Sequence, residues 1–219
     1  MYNPRMMIGL VFGGPLRVLC RWLAIAPLAL ALSPACAPTS VHPLSAAEKS
    51  SLEEKLIGMW QGKEGQREIH VEVAANPSTQ CPGCMRATIT EKVGKEENPD
   101  ICAEFFSTHF GGKDFLNVGI AIENDAPVSC SQVYGPTHYF LVQYEISADG
   151  KLFAQAADWR NFKAAVDKGE LEGEFGEKKD GQKPYCGVTS GSEKLRAFIE
   201  KNPDKFVIED KDRFLTRVE

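Results

Sequence analysis

The sequence predicts a mainly β domain, an antiparallel meander that closes into a barrel or sandwich, with two or three short helices. Three observations carry this expectation. Short runs alternate apolar and polar residues, as in Glu68 to Ala74, where Ile69, Val71 and Val73 alternate with Glu68, His70 and Glu72. Turn residues separate the runs: Gly111-Gly112, Glu123-Asn124-Asp125, Ala148-Asp149-Gly150 and Gly181. The runs follow one another without regular crossover helices, which argues against a parallel βαβ architecture.

In chain order, residues 1–36 have the layout of a secretory leader. An acid-free start carries Arg17 and Arg21, the apolar run Trp22 to Leu32 follows, and Ser33-Pro34-Ala35-Cys36 closes it. This run is too short to span a bilayer, which takes about 20 residues, so cleavage is expected rather than retention. Ala37 to Pro43 opens a flexible tether over residues 37–50. Residues 51–219 then form a single β-rich domain, long enough to bury roughly 70% of its unfolded surface.

Ser50-Ser51-Leu52-Glu53 reads as a capping box for a short helix that buries Leu52 and Leu56 on one face and leads into Gly58. Strands are expected at Glu68 to Ala74, Met85 to Val93, Ile101 to Ser107, Phe115 to Ile122, His138 to Ile146, Lys151 to Ala156, Glu170 to Phe175, Tyr185 to Thr189 and Arg213 to Val218. Two helices interrupt the meander late. One carries Trp159, Phe162 and Val166; the other follows a second capping box, Ser190-Gly191-Ser192-Glu193, buries Leu195, Phe198 and Ile199, and ends at Asn202-Pro203.

Two resemblances add to this reading. The small residues before Cys36 resemble a bacterial lipobox, which implies that the Cys36 thiol is acylated and that the mature protein is held at a membrane by that lipid. Leader-peptidase cleavage after Ala35 is the alternative, and both place the protein in the cell envelope, periplasmic or anchored at the outer membrane. The short helix, the Gly58-Met59-Trp60 segment opening the first strand, the meander and a basic residue in the last strand together resemble the lipocalin and wider calycin barrels. That resemblance implies that Trp60 closes one end of the barrel and that Arg217, or alternatively Arg213, packs over it. The Ser192 to Phe198 helix and the Phe214 to Val218 strand also resemble those of a bacterial exported family that supplies no activity.

With Cys20 lost in the leader, Cys36, Cys81, Cys84, Cys102, Cys130 and Cys186 remain, and in an oxidising compartment the last five are disulfide or thiol candidates. Cys81-Pro82-Gly83-Cys84 reads first as a structural turn, Gly83 supplying the positive φ of a type II turn. A redox pair is the second reading, and a Cys₄ zinc site from Cys81, Cys84, Cys102 and Cys130 the third.

The 25 basic residues include Arg5, Arg17 and Arg21 of the leader, so 22 face 30 acids afterwards, and this acidic body argues against a nucleic-acid partner. No catalytic signature, metal motif or cofactor motif stands out. Gly187-Val188-Thr189-Ser190-Gly191 puts its serine one place late for a nucleophile elbow, and Ser190 fits better as an N-cap. His109 and His138 are expected at strand ends around a barrel mouth, near Asp114 or Asp125, where a metal or acid–base site is conceivable. The leading expectation is a small apolar or amphipathic ligand held in the barrel, with unknown ligand-binding residues. Inward Phe105, Phe140, Tyr144 and Phe153 weigh against it by filling the lumen. The alternative is a non-catalytic envelope protein that docks on a partner protein.

Overall fold

The computed structural model describes residues 39–64, 66–97, 100–120, 122–123, 126–127, 138–175, 186–206, 208 and 212–218. The expected leader, Cys36, Cys130 and Asp125 lie outside the described residues. The strands in chain order are β1 (Thr39–Ser40), β2 (Gly58–Glu64), β3 (Arg67–Ala75), β4 (Met85–Val93), β5 (Glu96–Glu97), β6 (Ile101–Phe110), β7 (Lys113–Ile120), β8 (Ile122–Glu123), β9 (Ala126–Pro127), β10 (His138–Ile146), β11 (Lys151–Ala156), β12 (Gly173–Phe175), β13 (Cys186–Val188) and β14 (Leu215–Val218). Helix α1 (Trp159–Asp167) follows β11 and α2 (Ser192–Lys201) follows β13.

Strands β2, β3, β4, β6, β7, β10, β11 and β14 pair antiparallel in that order, and β14 returns to β2. The result is a closed eight-stranded barrel, consistent with a lipocalin-like fold; the sandwich alternative is excluded because no barrel strand is left with an open edge. Only the β14 connection leaves the meander: the chain runs from β11 through α1, β12, β13 and α2 before it returns.

The barrel is closed at the end where β2 starts and β14 finishes. A 3₁₀ turn, Glu54–Leu56, delivers the buried Leu56 there. Trp60 is buried and its Nε1–H donates to the Leu56 carbonyl at 2.8 Å. Arg217 is the register partner of Trp60, and its guanidinium lies 4.9 Å from the centre of the indole. Its Nη2 also donates to the Lys55 and Ile57 carbonyls, at 2.5 and 3.1 Å, which satisfies orphan carbonyls of the turn. Gly58 has φ +131° with Arg217 Nε 3.9 Å from where a Cβ would sit, so a larger residue would be strained there. Arg213 takes no part in this contact.

Alternation puts Ile69, Val71 and Val73 of β3, Met85, Ala87 and Ile89 of β4, and Ala103 and Phe105 of β6 into the barrel. Leu116 and Val118 of β7, Phe140, Val142 and Tyr144 of β10, and Leu152 and Leu215 complete the fill with Trp60. Phe153, expected inside, points outward on β11 against Phe214, with ring centres 5.9 Å apart.

A second core lies on the outer face of β6, β7 and β10. Phe110, Phe115 and Leu141 meet Phe162 and Ala165 of α1, Leu195, Phe198 and Ile199 of α2, and Phe206. The wall between the cores is therefore buried on both faces, which explains why Phe115-Leu116-Asn117-Val118 reads as a nearly continuous apolar run. Its one polar residue, the fully buried Asn117, accepts from Leu44 N–H at 2.6 Å and donates to Thr108 Oγ1 at 2.8 Å. That bond clamps the N-terminal segment to the barrel, and β1 pairs with both β10 and β13. The stretch expected as a free tether is thus packed on the domain from Thr39 onward.

Neither capping box forms. Ser50 instead ends the 3₁₀ turn Ala47–Lys49, donating to the Ala47 carbonyl at 2.6 Å, and Leu52 is exposed. Gly191 is the N-cap of α2, and the buried Ser190 accepts from Glu172 N–H at 2.6 Å. Ser50 thus bonds Ala47 locally and accepts from Gly83 N–H across the fold, Ser190 goes to Glu172, and the start of α2 has no side-chain cap.

Two outcomes follow. Arg217→Ala is expected to lower stability by about 1.5–3 kcal/mol, through the lost cation–π contact and two charge-assisted hydrogen bonds; urea denaturation reads this as a lower midpoint at unchanged slope. Asn117→Leu strands the Leu44 N–H at a cost of about 1–3 kcal/mol, and limited proteolysis of residues 39–50 should accelerate with it.

Candidate functional site

A polar cleft opens at the closed end of the barrel, where the N-terminal segment crosses the β6–β7 hairpin. The hairpin turns on Gly111-Gly112 and brings the end of β6 beside the start of β7. His109 pairs in register with Asp114, and Asp114 with Tyr144, so the three side chains form one row across β6, β7 and β10. Ser107 shares the inward face of β6. Lys49, Ser50, Ser51 and Glu53 cover the row, Ser45 meets Thr108 at 2.6 Å, and Arg196 reaches in from α2. Together these residues line a cleft of about 230 Å³.

The charges are unevenly committed. His109 Nδ1 lies 2.5 Å from Asp114 Oδ1, which orients the ring and leaves Nε2 free. The Arg196 guanidinium lies over the Phe110 ring at 5.1 Å, and Phe110 stacks in turn on Phe115. Among the described residues neither Arg196 nor Lys49 has a carboxylate partner. Burial pushes the Tyr144 hydroxyl far above the usual tyrosine range, helped by the Asp114 and Glu53 carboxylates nearby. The phenol therefore stays protonated and acts as a hydrogen-bond donor.

His138 does not join this row. It starts β10 at the opposite end of the barrel, six residues along the strand from Tyr144, or roughly 20 Å. The expectation that the two histidines share a mouth is corrected by the strand direction. Among the described residues no group of three or more His, Cys, Asp and Glu side chains is placed to hold a metal ion, and no helix is long and apolar enough to cross a membrane.

Cys81 and Cys84 occupy the β3–β4 connection at the same end, and Cys102 lies near the start of β6. Cys81 and Cys84 form a disulfide across the turn, and Cys102 is disulfide-bonded as well. Three of the four expected zinc ligands are therefore oxidised, which removes the thiolates that zinc needs. The Cys81–Cys84 turn leads into strand β4 rather than a helix N-terminus, so no helix dipole acts on its sulfurs. Gly83 is required by proximity and not by the expected positive φ: a Cβ would lie 2.5 Å from the Ser51 backbone, and Ser50 Oγ accepts from Gly83 N–H at 3.1 Å. This contact fixes the segment that roofs the cleft.

Sequence reasoning reached His109 and Asp114 through their place beside a glycine turn. It missed Lys49, Glu53 and Arg196, whose only local signal was an ordinary surface charge, and it took Tyr144 for simple lumen packing. The chain matches no protein-family model, no curated protein and no solved structure.

Because Tyr144 holds its proton in the folded protein to a higher pH than in the unfolded chain, where tyrosine titrates near 10, its contribution is complete below about pH 10 and is lost as pH rises beyond it. Urea midpoints measured from pH 8 to 12 should fall over the upper part of that range, and Tyr144→Phe should flatten the fall.

Proposed function

We propose that the protein is a non-catalytic binding module of the cell envelope, a filled barrel that takes a small polar ligand in the cleft at its closed end. The carrying observation is that cleft: two cations with no carboxylate partner among the described residues, an oriented histidine and a buried phenol donor converge on about 230 Å³. Trp60, Phe105, Phe140 and Tyr144 meanwhile occupy the space that an apolar ligand inside the barrel needs at their level. A volume below the usual 300–1,000 Å³ of drug-sized sites suits a molecule of about one sugar ring.

Export through the residue 1–36 leader and acylation of Cys36 complete the proposal. Only Ala37 and Pro38 separate Cys36 from β1, so a lipid there holds the domain close against the membrane surface.

The test is the native mass of the chain exported from its own leader and released in mild detergent, compared with its denatured mass. A small surplus that vanishes on denaturation is expected. A clean polypeptide mass overturns the ligand and leaves docking on an envelope protein as the reading to pursue.

A further inference from the structure

Resting on the cleft as the binding site, we infer that its ligand is a small polyhydroxylated oxyanion of the sugar-acid class. Arg196 and Lys49 would hold the carboxylate, while Tyr144, Ser107 and Glu53 would meet hydroxyl groups.

The argument begins with charge. Acids outnumber basic residues 30 to 25 in this chain, and the described cations are met in several ways. Lys63, Arg86, Lys151, Arg160, Lys163 and Lys194 each sit in an ion pair. Lys113 and Arg217 are met by backbone carbonyls instead, whereas Arg196 and Lys49, which have no carboxylate partner among the described residues either, line the same cleft. The Phe110 ring occupies the face of the Arg196 guanidinium, and stacking leaves the N–H edge available for bidentate contact with a planar carboxylate.

The acids of the cleft are committed differently. Asp114 is engaged by His109, and the Glu53 carboxylate lies near the Tyr144 hydroxyl. Glu53 still has lone pairs to accept from a ligand hydroxyl, and the Ser107 and Tyr144 hydroxyls can give and take such bonds. Among the described lining residues Tyr144 is the only Phe, Tyr or Trp, so a neutral sugar finds little stacking wall to replace the missing charge contact.

The experiment is calorimetric titration of the full exported chain with D-glucuronate, D-glucose and inorganic phosphate, repeated on Arg196→Gln and Lys49→Gln. Both substitutions are at the surface, and near-UV circular dichroism checks that the fold is kept. Glucuronate is expected to bind best, and Arg196→Gln to weaken it by about tenfold or more. Glucose binding as tightly as glucuronate, or an Arg196→Gln variant that binds unchanged, overturns the carboxylate contact. Phosphate binding as tightly as glucuronate overturns the hydroxyl contacts. If no probe binds but the isolated protein still carries a small surplus mass, the sugar-acid class fails and the binding reading survives. If no probe binds and the mass is clean, both fail.

Discussion

The fold depends on the pairing of its two ends. Strand β14 closes the barrel only by lying against β2, across most of the length of the domain, and closing so long a loop carries an entropic cost that local contacts must offset. Arg217 concentrates that compensation at one point. It stacks on Trp60 and ties the carbonyls of Lys55 and Ile57, so the final strand, the first strand and the turn before it are held by one side chain. Removing any of the three would open an edge on either side of the seam and expose the apolar interior to water.

The wall of β6, β7 and β10 does the second structural task. Because both of its faces are buried, the long excursion between β11 and β14 has a surface to fold against, and the aromatic cluster of Phe162, Phe198 and Phe206 forms there. The same wall supplies Asn117, whose bond to Leu44 turns the N-terminal segment across the barrel end. The cleft exists because of that crossing: its floor belongs to β6, β7 and β10, its roof to residues 45–53, and its side to α2. His109, Asp114, Tyr144 and Arg196 thus sit on strands and a helix held by two cores, while Lys49 and Glu53 come from the roof segment.

The cleft brings charges of both signs together, Lys49 and Arg196 beside Glu53 and Asp114. Elsewhere exposed ion pairs pair off locally and contribute little to stability. In the cleft Asp114 is paired with His109, while Lys49 and Arg196 have no carboxylate partner among the described residues. The disulfide at Cys81 and Cys84 serves the same region: the turn it closes lies against Ser50 and Ser51, the roof of the cleft.

The sequence by itself determined the strands and the way the barrel ends are matched. Strands β4, β10 and β11 run over the residues that alternation marks, because side-chain period alone decides which face of a strand meets water. Gly58, Trp60 and Arg217 were legible only through the resemblance to lipocalin and calycin barrels, which left Arg213 as an alternative to Arg217. The tertiary structure decided everything that depends on which segments meet. Ser50 and Ser190 abandoned their capping boxes for bonds to backbone distant in sequence, His109 and His138 went to opposite ends, and Phe153 turned outward. Lys49, Glu53, Tyr144 and Arg196 came together from the roof segment, β10 and α2. No local period encodes such a meeting; it follows from strand register and from the path of a segment that one buried asparagine pins across the barrel.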